Sequence, residues 1–595
     1  MSANYVVGID LGTTNNVLSY VALNFEDAEV QLLEIPQLTA PATIESQTSL
    51  PSFTYLGTPG EAEQGSLDVA WETGRDYAVG QWARTRSAEA PDRTVGGAKS
   101  WLSHHKVDRQ QAILPFNVGD DLPKISPVEA SRRYLNHLVE AWNQAFPDSP
   151  LIDQKVVLTV PASFDASARE LTREAALSAG LPENLTLLEE PQAAVYAWLS
   201  HQGDNWRKAL KLNDKLLVCD VGGGTTDMSL ISVAEENGEL ILERMAVGNH
   251  LLVGGDNMDL AIAFEVSNLF KEKGTNLDPW QSVSLWHSCR AAKESLLAED
   301  GPDEHSISVL GRGSKLIGGT VTVQVQRERI RNLLLEGFFP ECQATDHPQR
   351  NMASGFQELG LPYEADPAVT RHLAEFLQSH SSEENQPLQV THILFNGGVF
   401  KSNSFQDRLI NVLGSWNPDS SPVMLDGDHD LDYAVARGAA YYGLSKHQGG
   451  MRIRGGTAQA YYVGIETAGL AIPGAPRPLN LLNVVPIGME EGTETNVPSQ
   501  EVGLVVGEKA HFRFFASPSR NEDKPGTLLA SWNESEVVET DSLEMVLDTD
   551  ESIEEAYVPV TFQSKITELG MFELWCVSPK TGGRWKLEFN IRDDD

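Results

Sequence analysis

Two α/β lobes that repeat one fold, followed by an all-β domain, is the architecture the sequence predicts, and three observations carry it. Near the N-terminus, Val6-Val7-Gly8-Ile9-Asp10-Leu11-Gly12-Thr13-Thr14-Asn15 runs from an apolar strand to a carboxylate, a glycine and hydroxyl residues. The same grammar returns in Leu216–Leu230, where Asp220 precedes Gly222, Gly223 and Gly224, and Thr225-Thr226-Asp227 follows. Beyond about residue 459 the pattern has period two. Val558, Val560 and Phe562 alternate with Pro559, Thr561 and Gln563, and Trp585, Leu587, Phe589 and Ile591 alternate with polar residues.

Each glycine turn can reach φ > 0 and brings backbone N–H groups close to a ligand, as a phosphate cradle requires. The flanking carboxylates Asp10, Asp220 and Asp227 repel phosphate, so a divalent cation must stand between them, and Mg²⁺ with its retained waters suits such a site. One turn of this kind is equally a plain hairpin. Two copies separated by a domain-sized stretch predict a duplicated fold with a nucleotide between the lobes.

The chain has 595 residues, which predicts two to four domains, and 41% hydrophobic content supports ordinary globular packing. With 84 acidic against 45 basic residues, the formal charge of −39 argues against nucleic acid and membrane surfaces as partners. Cys219, Cys289, Cys342 and Cys576 are far apart and form no Cys-x-x-Cys pair, so free thiols are expected rather than a zinc site or disulfide framework. The chain enters strand almost at once, and no stretch reads as a signal peptide or membrane span; a cytoplasmic, soluble protein is expected.

Taken in order, the first hairpin leads to a β-like, proline-punctuated region as far as Phe53, and Gly57–Ser66 reads as a polar loop. Ser126-Pro127 begins a helix with Tyr134, Leu135, Leu138 and Trp142 at helical spacing, reaching about Phe146. Val156–Val160 is a buried-type strand stopped by Pro161, and Asp165 caps a helix that Gly180 ends. Strand Leu185–Leu188 then enters the helix that starts at Glu190-Pro191. This alternation predicts βαβ units and a largely parallel sheet. In the second lobe, Gly254-Gly255 leads into a helix, and a longer helix covers Gln281–Leu297. Strands follow near 307–309 and 321–325, then a helix over Arg327–Gly337 and a partly helical insertion over 341–387. Val390–Phe395 is a strand ending in Asn396-Gly397-Gly398, at the carboxyl end where α/β sheets place ligands. Helices near Phe405–Leu413 and from Asp432 through Ala440 complete the lobe. Residues 1–447 thus form one domain, with lobes of about 1–210 and 211–447. Residues 448–458 form a Gly-rich flexible linker and 459–595 a β-sandwich-like domain.

In this order, Gly8–Asn15, Val79-Gly80-Gln81, Lys99, Val160-Pro161-Ala162, Glu190-Pro191, Asp220–Asp227, Gly254-Gly255 with Asp259, Gly397-Gly398 and Asp432–Ala440 resemble the heat shock protein 70 (DnaK-type) chaperone family. The resemblance covers most of the first 445 residues. It implies an actin-like ATPase fold of duplicated ribonuclease H-like lobes closing on ATP or ADP with Mg²⁺. Asp10, Asp220 and Asp227 would hold the metal, and Gly12, Thr13, Thr14, Asn15, Gly222, Gly223 and Gly224 the phosphates. Thr225 would donate its hydroxyl, Lys99 would place the attacking water, and Glu190 would touch the metal shell. Gly255, Lys293, Gly397, Gly398, Lys401 and Asp432 would line the adenosine side. Glu190, Pro161 and Arg169 would relay nucleotide state to the β domain, which would hold unfolded or extended polypeptide. A J-domain protein and a nucleotide exchange factor are the further partners implied.

Several residues have plainer readings: Lys99 as a surface helix lysine, Glu190 as a helix entry, Arg169 and His104-His105 as solvated side chains, and the acidic run Asp548–Glu555 as a loop. The chain also departs from the family pattern. Arg290 stands where an acidic residue is expected, Glu294 where a basic one is common, and Lys401 where an arginine would stack on adenine. Gly450-Met451-Arg452-Ile453-Arg454 replaces a leucine-rich linker, Val463–Gly469 is the sharp match left in the β domain, and no helical lid is expected. The leading expectation is an ATP-hydrolysing chaperone-like protein. An ATP-driven switch with one dedicated protein partner is the alternative, and a small-molecule kinase of the same superfamily is disfavoured, since it needs a general-base carboxylate and a polar substrate pocket and Lys99 stands in the water-positioning place.

Overall fold

The computed structural model describes residues 3–589 apart from 25–27, 105, 117, 120, 311–319, 350–360, 362, 382–385, 418–420, 426–429, 451–452, 467–478, 491, 506–508, 534–535, 547–556 and 568–570. The first lobe is built on strands β1 (Tyr5–Leu11), β2 (Asn15–Ala22), β3 (Gln31–Leu32), β4 (Lys155–Val160) and β5 (Thr186–Glu189), in the order β5-β4-β1-β2-β3. The second is built on β6 (Lys215–Val221), β7 (Thr226–Glu236), β8 (Glu239–Val247), β9 (His392–Asn396) and β10 (Val423–Met424), in the order β8-β7-β6-β9-β10. In each sheet an antiparallel meander is extended by parallel strands: β4 and β5 beside β1, and β9 and β10 beside β6.

The sheets are therefore mixed, which corrects the expectation of a largely parallel one. The short turns after β1 and β6, of three and four residues, force the next strand to return antiparallel, and only the helical crossovers deliver parallel neighbours. The shared order makes the duplication a structural fact. A second correction concerns Gly57–Ser66, which contains a short helix, Pro59–Glu63. Thr58 accepts from the Glu61 amide while Glu61 accepts from the Thr58 amide, and Pro59 sits where a missing N–H costs nothing.

The helices that position the site are α1 (Ala98–Trp101), α2 (Pro127–Ala145), α3 (Ala166–Ser178), α4 (Glu190–Gln202), α5 (Gly255–Glu272), α6 (Pro279–Leu297), α7 (Asn403–Trp416) and α8 (Ala434–Gln448). Ser126 caps α2 and Asp165 caps α3 through bonds to the Glu129 and Ala168 amides. Helices α4 and α8 cross between the lobes, and their side chains share one core with Val6, Val157, Leu216 and Val218 from both sheets. The insertion contributes the helix Val369–Ser379, while residues 350–360 of it lie outside the described residues.

From Ala460 onward the described residues form strands only, in two antiparallel sheets of five and seven strands. Tyr557–Ile566 alternates buried and half-buried residues along its length, as period two demands, and Val558, Val560 and Phe562 enter the core between the sheets. Of the sharp family match here, 467–469 lie outside the described residues, as do Met451, His105 and the run 548–555.

The β domain packs directly on the first lobe. Ala166 of α3 belongs to the β-domain core, and Met571 of the β domain packs into the core of the first lobe. Arg109, fully buried, forms an ion pair with Asp541 at 2.7 Å. The linker is ordered where it is described: the Arg244 amide donates to the Arg454 carbonyl at 2.7 Å, the Arg454 amide donates to Leu242 at 2.8 Å, and Ile453 is buried beneath Tyr196.

Candidate nucleotide site

The two glycine turns face each other across the interlobe cleft at very close range. A Cβ on Gly223 would lie 2.1 Å from Thr14 Oγ1, and one on Gly224 would lie 2.6 Å from Ser100 Oγ. The Thr14, Thr13 and Ser100 side chains fill the space beside these glycines, so any larger residue there would have to displace them. At the end of β9, Gly397 has φ +86° and its missing Cβ would strike the Val221 carbonyl at 2.3 Å. The three glycine turns thus line one cleft that is open to solvent.

The structure brings most of the predicted site residues to this cleft. Asp10, Gly12, Thr13, Thr14, Asn15, Lys99, Glu190, Asp220, Gly222, Gly223, Thr225, Gly255, Lys293, Gly397, Gly398, Lys401 and Asp432 line it. Asp227 and Gly224 stand behind that lining, Asp227 directly opposite Asp220 in the β6–β7 register. Pro161 and Arg169 lie outside it.

Four carboxylates, Asp10, Glu190, Asp220 and Asp227, meet around one cation. Lys99, buried rather than on the surface, donates to Glu190 Oε1 at 2.5 Å. Burial, reinforced by Glu190, raises Asp10 to about 7 and Asp220 to about 8. Burial also raises Asp227 and Glu190 despite Lys99 beside them. A carboxylate cluster with this excess of negative charge is stable when protonated or when a cation joins it. Its hard oxygen donors fit Mg²⁺, and Asn396 Oδ1 is a further buried oxygen for which the described residues supply no hydrogen bond.

Sequence reasoning missed the residues that hold these carboxylates. Thr159 donates to Asp10 at 3.1 Å, Asn396 donates to Asp220 at 2.6 Å, and Ser163 donates to Asp227 and lies 2.6 Å from His250 Nδ1. Each sits at the end of a strand or just beyond it, a position readable in sequence, but the partner is given by tertiary structure alone.

On the side expected to take the base, the charged groups already have protein partners. Arg290 pairs with Asp259 at 2.9 Å and with Asp256, Lys293 pairs with Asp259 at 2.7 Å, and Lys401 pairs with Asp432. Glu294 receives both of its bonds from Arg84 Nη2 in the opposite lobe, at 2.9 and 3.1 Å. His104, expected in solvent, is 7% exposed and stacks on Trp101; the aromatic cluster of Trp101 and Phe116 draws it in. The described residues hold no group of three or more metal-ligating side chains of the His/Cys/Asp/Glu type at ligand spacing.

Arg169 reaches Glu189, the neighbour of Glu190, at 2.8 Å. Glu189 also pairs with Arg244, whose other nitrogen donates to the Gly456 carbonyl in the linker. These two guanidinium groups hold Glu189 below the usual carboxylate range against its burial.

A duplicated mixed sheet closing on opposed glycine hairpins defines the actin-like ATPase class. Residues 66–344 match the family model described as Hsp70 protein. The chain is 28% identical over 352 residues, 57% of its length, to a chaperone protein HscA homolog of Shewanella sp. (strain MR-7), and 29% identical over 279 residues, 45% of its length, to chaperone protein DnaK of Prochlorococcus marinus (strain MIT 9515). These alignments span 48% and 37% of the two relatives. By these matches the chain is similar to the Hsp70 family over about half of its length. No helix among the described residues is long and apolar enough to cross a membrane.

Proposed function

We propose that the chain binds ATP with Mg²⁺, hydrolyses it, and couples nucleotide state to the binding of extended polypeptide by its β domain. The observation that carries this reading is the pair of facing glycine hairpins with four buried carboxylates around Lys99. Asp10, Asp220 and Asp227 would hold Mg²⁺ mostly through its bound waters, with Glu190 and Asn396 beside it. The metal would offset phosphate charge and the charge of the cluster. The amides of Gly12, Gly223 and Gly224, with the hydroxyls of Thr13, Thr14 and Thr225, would cradle the phosphates. Lys99 would leave Glu190 to orient water and to stabilise charge developing on the γ-phosphate. Phosphoryl transfer asks mainly for such positioning and charge neutralisation.

Coupling to the β domain is supported by its packing on α3 and by the run Arg169–Glu189–Arg244–Gly456, which leads from the neighbour of Glu190 to the linker. A J-domain protein and a nucleotide exchange factor are the partners this reading predicts, in the cytoplasm. The test is single-turnover ATP hydrolysis of the full chain with Mg²⁺, with and without an unstructured apolar peptide. Hydrolysis that peptide accelerates supports the chaperone cycle. Hydrolysis indifferent to peptide transfers the reading to a switch with one dedicated partner, and absence of ATP binding removes both.

A further inference from the structure

Resting on the role of Lys99 proposed above, we propose that Arg109 is a positioning residue that ties docking of the β domain to the placement of Lys99. Arg109 follows α1 in the first lobe, and its side chain is 1% exposed. Its guanidinium faces two ways. Nη1 donates to the Leu102 carbonyl at 3.4 Å and to Ser167 Oγ at 3.3 Å, while Nη2 meets Asp541 Oδ1 at 2.7 Å. Ser167 donates to the other oxygen of Asp541 and completes the bridge.

Leu102 is the C-terminal cap of α1, and its amide donates to the Lys99 carbonyl at 3.1 Å. The α1 helix has four residues, all buried, so its position depends on what holds its ends. A β-domain carboxylate therefore acts, through one guanidinium, on the last turn of the short helix that presents Lys99. Among the described residues Asp541 is the one carboxylate in an ion pair with Arg109. A buried guanidinium that loses its carboxylate is strongly destabilised where it stands. Departure of the β domain must accordingly shift or hydrate Arg109, releasing the Leu102 carbonyl and loosening α1. This route is separate from the linker network at Glu189, since it involves neither Arg169 nor Arg244.

The test compares the full chain with Asp541→Asn, Arg109→Met, Arg109→Lys and the double variant Arg109→Met/Asp541→Asn. It reads single-turnover hydrolysis, ATP affinity and hydrogen exchange of the amides of residues 99–103. Asp541→Asn is expected to change the hydrolysis rate by about threefold or more with affinity held within about twofold, because misplacing a catalytic group acts on the chemical step. It is also expected to speed exchange at 99–103. The double variant should match Arg109→Met alone, the non-additivity of one shared path, and Arg109→Lys should retain part of the coupling. A purely structural role would lower thermal stability and leave rate and local exchange unchanged. That result, or additive effects in the double variant, overturns the proposal. Should Arg109→Met fail to fold, Asp541→Asn and Arg109→Lys decide. Should the parent chain not hydrolyse ATP, the proposed function fails, and local exchange in Asp541→Asn alone decides on the coupling.

Discussion

The end of the cleft proposed to take the phosphates and the end proposed to take the base are built on different principles. At the phosphate end the contacts come from turns whose glycines leave room for facing side chains, with Thr14 Oγ1 and Ser100 Oγ occupying the space a Cβ would need. At the base end they come from side chains of distant segments, and Arg290, Glu294, Lys293 and Lys401 are each committed to a protein carboxylate or guanidinium. A ligand at the first end meets amides and carboxylates that gain from a cation and a phosphate. A ligand at the second must compete with ion pairs. Under the proposed function, the contrast would give a protein that recognises polyphosphate and metal firmly and the base loosely.

The largest expected effect sharpens the phosphate end. Lys99→Ala should lower single-turnover hydrolysis by about 10²-fold or more while leaving ADP affinity within a few fold, if its charge serves the transition state as proposed. Equal losses in both would place Lys99 in ground-state binding. Next, Asp220→Asn should weaken Mg²⁺-dependent nucleotide binding by about tenfold or more, and ADP affinity should lose most of its response to chelator.

The same carboxylates give a pH dependence. Asp10 at about 7 and Asp220 at about 8 are raised from 3.8, so the folded state holds protons that the unfolded chain releases. Their contribution is full below pH 3.8 and is lost as pH rises toward 8. The melting temperature without metal should therefore fall between about pH 5 and pH 8.5, and Mg²⁺ with ADP should restore more stability at the upper end than at the lower. A flat profile would mean that the cluster stays ionised without a cation. The smallest effect tests the base end. ATP and GTP should bind with affinities within about tenfold of each other, because the groups that could read the base are engaged elsewhere. Discrimination well beyond that would show that the ion pairs open to admit adenine.

How much of this could be read in the sequence follows the same division. The hairpins at Asp10–Asn15 and Asp220–Asp227 were legible because a strand, a glycine turn and flanking carboxylates are local signals, and so were the caps Ser126 and Asp165. The sheets were misread as largely parallel because period and punctuation give elements and not their neighbours. Thr159, Ser163 and Asn396 escaped because each acts on a carboxylate more than 60 residues away. His104 reads as solvated and Lys99, on the plainer of its two readings, as a surface lysine, and only the packing around Trp101 and Glu190 buries them. The pairing of Arg109 with Asp541 joins two domains and has no local signature at all.

The linker residues Ile453 and Arg454 also have a consequence for solubility. They lie alongside β8, the outermost strand of the second sheet, with amide bonds in both directions between Arg454 and that strand. An uncovered outer strand presents unpaired N–H and C=O groups that a strand of another molecule can take up. Here the connecting segment caps part of that edge at Arg454, and a linker that swings away exposes those groups to self-association.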